Sequence, residues 1–238
     1  MPIRPTVCLL PGLLCDAHVW GPQRQALSAE AEIYIPDFFG FESLDDMARR
    51  VLDETDGPIS VAGHSMGGRV ALEVWRQAPE RVERLALLDT GVHGVKPGEE
   101  GPRMELVAAA RRDGMDAVVE RWLPPMLHPD RVGDPELTAP IAAMINRATP
   151  DIFEKQQRAL LNRRDLTAEL SAIRCPVAIL CGREDSWSPV AQHAAMARLA
   201  HGAVLTVVGA CGHMSTLEQP DAVTWPLRAW LAREPLGA

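Results

Sequence analysis

A serine flanked by glycines gives the sequence its clearest chemical signal, in the segment GHSMG at residues 63–67. The segment follows the apolar run 59–62 and opens a helical pattern, which is the strand–turn–helix context in which a G-x-S-x-G motif presents an exposed serine. The glycines leave the space that such a tight turn needs. Because a serine hydroxyl is a weak nucleophile, it requires a base that a carboxylate orients. The motif therefore predicts that Ser65 is a nucleophile.

Two loops late in the chain carry candidate partners for this serine. His213 follows the last apolar run, and the adjacent carboxylates Glu184 and Asp185 follow the run before it. Loops after parallel strands meet at one edge of a sheet, and the expected chain order is serine, acid, histidine. We predict that His213 is the base. Spacing and the shorter side chain favour Asp185 as the acid, with Glu184 and Asp89 as alternatives.

Acyl transfer also needs N–H groups that point at the developing oxyanion. The backbone N–H of Met66, directly after the nucleophile, is one candidate. The loop after the first apolar run should reach the same edge, and we choose its Leu13 as the second donor because Gly12 lets the chain approach closely. His64 adjoins the nucleophile, and we expect it to shape the turn rather than to act as a base.

The elements that must position these residues alternate along the chain. Short apolar runs bounded by turn residues predict strands at 6–10, 31–35, 59–62, 85–88, 177–181 and 203–208. Between them, Ser43 can cap a helix that continues through Glu54, and a second amphipathic helix runs from Gly67 to the stop at Pro79. This alternation predicts an α/β fold, with a mainly parallel sheet flanked by helices.

The alternation breaks once. Residues 93–173 contain no convincing strand and read as amphipathic helices interrupted by glycine and proline. We therefore predict an α/β core formed by residues 1–92 and 174–238, with residues 93–173 inserted into it as a helical cap.

These features resemble the α/β-hydrolase superfamily, in its small branch with a helical cap, over essentially the whole chain outside the cap. The opening segment PGLLCDAHVW is similar to that of pimeloyl-carrier-protein methyl esterases and related carboxylesterases, although Pro11 stands where that family usually has histidine. The resemblance implies the triad Ser65, Asp185 and His213, with an oxyanion N–H from Leu13. A serine nucleophile disfavours the dehalogenase and epoxide-hydrolase branches, which use aspartate.

Apolar side chains from loops and cap are expected to form a mainly hydrophobic pocket for a small or medium acyl ester. The candidates are Phe38, Phe39, Trp122, Met126, Met144 and Trp187. The arginine pairs at 111–112 and 163–164 are expected to be solvated helix faces. The alternative for these pairs is the docking of an acidic acyl-carrier protein.

The amino-acid composition limits the possible binding partners and cellular location of the protein. The 238 residues are 47% hydrophobic and 24% charged, an ordinary globular balance, and the net charge of −8 argues against binding to nucleic acid or an anionic membrane. The five cysteines are scattered without a C-x-x-C pair, which favours a reducing compartment. No targeting segment is recognisable and no apolar run approaches the ~18 residues of a membrane span. A cytoplasmic protein is expected.

Together these features predict a serine hydrolase that cleaves carboxylic esters through an acyl-enzyme, without a cofactor or a metal. The same triad could also serve hydrolysis of a carbon–carbon bond, a lactone or a thioester, or perhydrolysis. An alternative of another class is a ligand-sensing or signalling protein with a slow triad.

Overall fold

A computed structural model describes residues 4–234, and its centre is a six-stranded sheet in which all neighbouring strands are parallel. The strand order is β2-β1-β3-β4-β5-β6. The strands are β1 (Thr6–Leu10), β2 (Glu32–Tyr34), β3 (Ile59–His64), β4 (Val82–Leu88), β5 (Val177–Gly182) and β6 (Val204–Val208). All six predicted strands are confirmed. β4 begins earlier than predicted because the half-buried, polar Arg84 continues the ladder opposite Ser60.

The order of the strands creates a crevice at one end of the sheet. The chain passes from β1 to the edge strand β2 and then returns to add β3 on the other side of β1. Doubly wound sheets bind ligands at such a reversal, outside the carboxyl ends of the two strands that flank it. The loop after β1 and the turn after β3 both open at this point. The topology therefore brings the predicted oxyanion loop beside the predicted nucleophile.

Helices flank this sheet, and the two predicted from capping and periodicity are confirmed. The Ser43 hydroxyl accepts the Asp46 N–H at 3.3 Å at the start of α2, and α3 ends just before Pro79. The helices are α1 (Gly21–Leu27), α2 (Leu44–Asp53), α3 (Met66–Gln77), α4 (Glu100–Asp113), α5 (Asp116–Trp122), α6 (Pro135–Ile145), α7 (Pro150–Leu161), α8 (Val190–Leu199), α9 (Ser215–Glu218) and α10 (Pro220–Leu231).

The chain between β4 and β5 is helical. It carries α4 to α7 and short 3₁₀ helices, and within residues 4–234 this segment contributes no strand to the sheet. Its sequence lacks the short apolar runs bounded by turn residues that mark the buried strands of the sheet. The division into a core and a cap at 93–173 stays a prediction.

One buried glutamine fastens this helical segment to the sheet, and the sequence analysis did not find it. The side chain of Gln156 on α7 has no exposed surface. Its Nε2 donates to the Phe38 carbonyl oxygen at 3.1 Å, and its Oε1 accepts the Leu14 N–H at 2.9 Å. Buried backbone groups need such partners because water cannot reach them. Gln156 thus ties α7 to the loops that follow β1 and β2.

We predict that Gln156→Leu lowers the free energy of unfolding by about 2–5 kcal/mol, because it leaves two buried backbone groups unpaired. Urea denaturation followed by circular dichroism measures the change. Gln25→Leu, the same substitution at an exposed site on α1, is the matched control and should change the free energy by less than about 0.5 kcal/mol. Equal effects of the two substitutions would contradict this role of Gln156.

Candidate active site

Ser65 lies in a strained turn between β3 and α3. Its backbone adopts φ 54° and ψ −117°, a left-handed conformation that non-glycine residues rarely take. Neighbouring contacts hold the turn in place. The Ser65 N–H donates to the Leu88 carbonyl oxygen at 2.9 Å, and the Thr90 hydroxyl donates to the Ser65 carbonyl oxygen at 2.6 Å. A Cβ on Gly63 would overlap the Gly67 backbone, so the turn requires glycine there.

His213 meets this serine from the loop after β6. Its Nε2 lies 2.8 Å from the Ser65 Oγ, within hydrogen-bond distance. The loop is held against the helical segment, because the His213 N–H donates to the Met126 carbonyl oxygen at 2.6 Å. The imidazole is almost fully buried, whereas Ser65 keeps some exposed surface. The serine hydroxyl therefore has a neighbouring acceptor for its proton.

Asp185 approaches the other nitrogen of the same imidazole. Its Oδ2 lies 2.8 Å from His213 Nδ1, and its Oδ1 accepts the N–H groups of Trp187 and Ser188, each at 2.9 Å. Burial alone would raise the pKa of Asp185, but the charge and hydrogen bond of His213 hold it below its ordinary value. Burial alone would lower the pKa of His213, but Asp185 holds it above its ordinary value. The pair is thus built to stabilise an imidazolium.

The two alternative acids have other partners. Glu184 accepts the Cys211 N–H through Oε2 at 2.9 Å and so braces the loop before His213. Asp89 is fully buried and accepts the Gly182 N–H at 2.9 Å and the Ser215 hydroxyl. Burial, and then the negative charge of Asp185, raise the pKa of Asp89 well above its ordinary value. Of the three candidates, the geometry brings Asp185 to the Nδ1 atom of the imidazole.

The predicted oxyanion donors lie next to Ser65, one in the loop after β1 and one at the start of α3. A Cβ on Gly12 would stand 3.2 Å from the Ser65 Cβ, so the loop after β1 passes directly against the turn. Within residues 4–234, the N–H groups of Leu13 and Met66 donate to no protein acceptor, while the neighbouring Leu14 N–H is taken by Gln156. These two donors are therefore available to a ligand.

His64 is buried, and its ring lies 5.4 Å from the His213 ring. Its Nε2 donates to the His213 carbonyl oxygen at 2.8 Å, so it supports the histidine loop. Burial, and then the charge of His213, lower the pKa of His64 to about 4, which keeps this ring neutral near pH 7. The position agrees with the expectation that His64 shapes the turn.

A cavity of about 410 Å³ opens beside Ser65 and contains two of the predicted pocket residues. The rings of Trp122 and Trp187 pack at a tilt of 48° with centroids 5.0 Å apart, and the Trp187 ring lies 5.5 Å from the His213 ring. Met126 and Met144 line a separate apolar recess, which also reaches Ser65 and has only about 10 Å³ of free space.

Two predicted pocket residues are not brought to either cavity. Phe38 is fully buried and packs edge-on against Phe41 at 6.5 Å, while its carbonyl oxygen is taken by Gln156. Phe39 packs against the core without lining a cavity. Gln156 on α7 contacts the loop after β2, which carries Phe38 and Phe39. These aromatic side chains therefore pack in the interior and do not line a pocket.

The large cavity also corrects the expectation of a mainly hydrophobic pocket. Cationic side chains line one end of it: Arg69, Lys96, Arg103 and Arg163. Sequence analysis missed them because the residues come from α3, α4 and two loops, far apart in the chain. Arg163 is buried and ion-paired with Glu99, so the expectation that the pair 163–164 is a solvated face is wrong for this residue.

Among residues 4–234, no group of three or more His, Cys, Asp or Glu side chains is arranged to hold a metal ion. None of the helices in this described range combines the length and the apolar character needed to cross a membrane.

A sequence profile of the alpha/beta hydrolase family matches residues 9–224, which is most of the chain. The chain belongs to the alpha/beta hydrolase family. Its topology, with a parallel sheet and a serine at the turn after β3, agrees with the resemblance that the sequence motifs carry.

Individual alpha/beta hydrolases resemble the chain over nearly its full length. The pimeloyl-[acyl-carrier protein] methyl ester esterase of Nitrosomonas europaea is 27% identical over 232 residues, covering 91% of this chain and 92% of the relative. A thermophilic esterase from Thermogutta terrifontis, solved with malate bound, shares 30% identity with a TM-score of 0.89, covering 96% and 90% of the two chains. An enol-lactonase from Burkholderia xenovorans shares the fold, at 24% identity and a TM-score of 0.88, with 97% and 92% covered.

We predict that Asp185→Asn lowers the pKa of His213, because the carboxylate is the main influence that raises it. NMR titration of the histidine ring signals measures this pKa, and loss of one signal in His213→Gln provides the assignment. Glu184→Gln is the matched control, since its carboxylate contacts the Cys211 N–H instead. If Glu184→Gln lowered the pKa of His213 by the same amount, Asp185 would not be the group that raises this pKa.

Proposed function

We propose that this protein is a serine hydrolase that cleaves carboxylic esters through an acyl-enzyme. The observation that carries the proposal is the unbroken contact chain from Ser65 Oγ to His213 Nε2, at 2.8 Å, and from His213 Nδ1 to Asp185 Oδ2, at 2.8 Å. The strained backbone at Ser65 adds support, because strain of this kind is retained where it positions a reacting group.

Each residue has a defined part in the proposed reaction. His213 Nε2 accepts the Ser65 hydroxyl proton as Oγ attacks the ester carbonyl carbon, and Asp185 stabilises the imidazolium. The N–H groups of Leu13 and Met66 donate to the oxyanion of the tetrahedral intermediate. His213 then gives its proton to the departing alkoxide, which leaves an acyl-enzyme. A water then attacks the acyl carbonyl carbon while His213 accepts its proton. As the second tetrahedral intermediate collapses, His213 gives this proton to Ser65 Oγ, and the carboxylic acid is released.

The relatives support an ester substrate at a coarse level. They include proteins named as methyl ester esterases, and the solved neighbour at 30% identity is named an esterase. Lactones, thioesters and carbon–carbon bonds would share the first attack, and a ligand sensor would share the geometry but turn over slowly. A panel of esters, lactones and thioesters separates these predictions by rate. The proposal needs neither cofactor nor metal, and the cytoplasmic location stays a prediction.

An acyl-carrier protein as partner also stays a prediction. The exposed arginines suggested for its docking already contact acidic side chains of the same chain. Arg111 lies 2.5 Å from Glu154, Arg112 lies 2.6 Å from Asp113, and Arg164 lies 3.1 Å from Asp45. The charges of these arginines are therefore partly compensated within the chain, although each such exposed pair contributes little energy.

A fluorophosphonate probe tests the nucleophile, and we expect it to label Ser65 once per chain. Ser65→Ala should abolish labelling and lower kcat for an ester by at least about 10³-fold, because the triad acts as a unit. Peptide mapping by mass spectrometry locates the label. Ser171→Ala removes a different, exposed serine far along the chain from the motif. It is the control and should be labelled at Ser65 like the wild-type protein. A label at another serine would reject the assignment.

The pH profile of kcat/KM tests the base. The imidazole accepts a proton only when neutral, so activity should fall as the pH drops through the pKa of His213, which lies above its ordinary value. Asp185→Asn should lower kcat by about 10²–10⁴-fold and move this acidic limb to lower pH. Glu184→Gln should leave both near wild type. An acidic limb that stays in place in Asp185→Asn would contradict the assignment of His213 and Asp185.

A further inference from the structure

The cationic end of the large cavity has no part in the reaction proposed above. We call it the cationic chamber, and it is formed by Arg69, Lys96, Arg103, Arg163 and Glu99. A second carboxylate in the lining of the whole cavity, Asp89, already accepts hydrogen bonds from Gly182 and Ser215. The same cavity is lined by Ser65, Met66 and His213, so the chamber and the nucleophile share one space. A ligand attached to Ser65 can therefore extend into the chamber without crossing a wall.

Glu99 is already engaged by two of the arginines. Its Oε2 lies 2.6 Å from Arg163 Nη2, and its Oε1 lies 2.8 Å from Arg103 Nη2. Arg163 also donates to the carbonyl oxygens of His93 and Gly94. One carboxylate thus faces two guanidinium groups and leaves the remaining cations of the chamber uncompensated.

Within residues 4–234, neither Arg69 nor the exposed Lys96 forms an ion pair with a carboxylate, and Arg69 is the more buried of the two. The Arg69 Nη1 donates to the His93 carbonyl oxygen at 2.8 Å. Burial, and then the charge of Arg163, lower the pKa of Arg69 to about 9. The guanidinium remains protonated near pH 7, but its surroundings disfavour the charge. A bound anion would relieve both effects, because it supplies opposite charge and takes up the free N–H donors.

His93 does not supply the missing negative charge, nor does it add a positive one near pH 7. Burial, and then the charges of Arg69 and Lys96, lower the pKa of His93 to about 4. The ring is therefore neutral over the pH range in which the triad would work. Four cations of the chamber therefore face the one carboxylate that forms ion pairs there, Glu99. Asp165, outside the lining of the cavity, also favours the charge on Arg69, but burial and Arg163 outweigh it.

The distance from the nucleophile limits what can bind there. Arg69 lies on α3, one turn after Ser65, which corresponds to about 6 Å along the helix. The apolar recess, which also reaches Ser65, has free space for at most one group the size of a water molecule. We therefore expect the substrate group that enters the recess to be small and neutral. The group that enters the chamber should be short and end in an anion.

We propose that the cationic chamber, with Arg69 at its centre, binds a carboxylate carried by the substrate, so that the preferred esters are short half-esters or acyl esters with one free acid group. The inference rests on the proposed ester hydrolysis. The overall charge of −8 would repel an anionic substrate at long range, so the preference is produced locally by this chamber.

Matched substrates test the proposal from both sides of the ester bond. Monomethyl glutarate is compared with methyl 4-carbamoylbutanoate, and 3-acetoxypropanoate with 3-acetoxypropanamide. In each pair an amide replaces the carboxylate with nearly the same shape. We expect kcat/KM to favour the carboxylate by about 10–100-fold in one pair, through KM more than kcat. The pair that shows the preference identifies whether the acyl or the alcohol side enters the chamber.

Arg69→Gln should reduce this preference to about 3-fold or less, and Arg69→Lys should keep part of it, since lysine keeps the charge but loses the planar fork. Arg49→Gln is the control, because it removes the same charge at an exposed site on α2. It should keep both activities and their ratio. If Arg49→Gln and Arg69→Gln lower the ratio equally, the chamber is not the binding site.

Calorimetric binding of glutarate gives a readout that does not depend on turnover. Wild-type protein should bind glutarate at least about 10-fold more tightly than Arg69→Gln does. If esters are turned over but carboxylate and amide are equivalent and glutarate does not bind, the chamber proposal is wrong and the hydrolase proposal stands. If no ester is turned over but glutarate binds in an Arg69-dependent way, the hydrolase proposal is wrong and the chamber still binds a carboxylate.

Discussion

The close contact between the turn after β3 and the loop after β1 is the constraint on which the rest of the site depends. A Cβ on Gly67 would overlap the carbonyl oxygen of Leu10, and one on Gly12 would press against His64 and Ser65. Only backbone without side chains allows the two segments to approach in this way. The contact places the free N–H group of Leu13 beside Ser65, whose own backbone is left-handed.

A second close contact completes the site from the other half of the sheet. A Cβ on Gly182, at the end of β5, would overlap the Gly212 carbonyl oxygen, so the acid and histidine loops lie directly against each other. Gly212 in turn has no room for a Cβ beside the Met126 carbonyl oxygen, which accepts the His213 N–H. The helical segment between β4 and β5 therefore helps to fix the imidazole. The geometry of the triad depends on three segments that are distant in sequence and meet through glycines.

Sequence patterns predicted the sheet well because its strands have local signatures. Apolar runs bounded by turns define the strands, and the Ser65 motif is set by its own neighbours. The pocket was predicted poorly because its lining is set by how α4 and α7 cross the sheet. Phe38 looked like a pocket residue but packs inward, while Gln156 and Arg69 looked like ordinary polar helix positions and are placed by tertiary contacts. Nothing in the spacing of a single helix reveals a partner that lies on another element.

The ion pair at Glu99 explains how a group of arginines can remain ordered without a ligand. Burial opposes ionisation of Glu99, but Arg163 and Arg103 hold its pKa at about 2, so it stays charged at any pH at which the triad can work. The carboxylate thereby fixes two guanidinium groups and leaves Arg69 with a backbone carbonyl as its partner. A dipole compensates a buried cation less completely than a charge does. The site therefore has one internal anion where the electrostatics favour a second, and the space for that second anion opens toward Ser65.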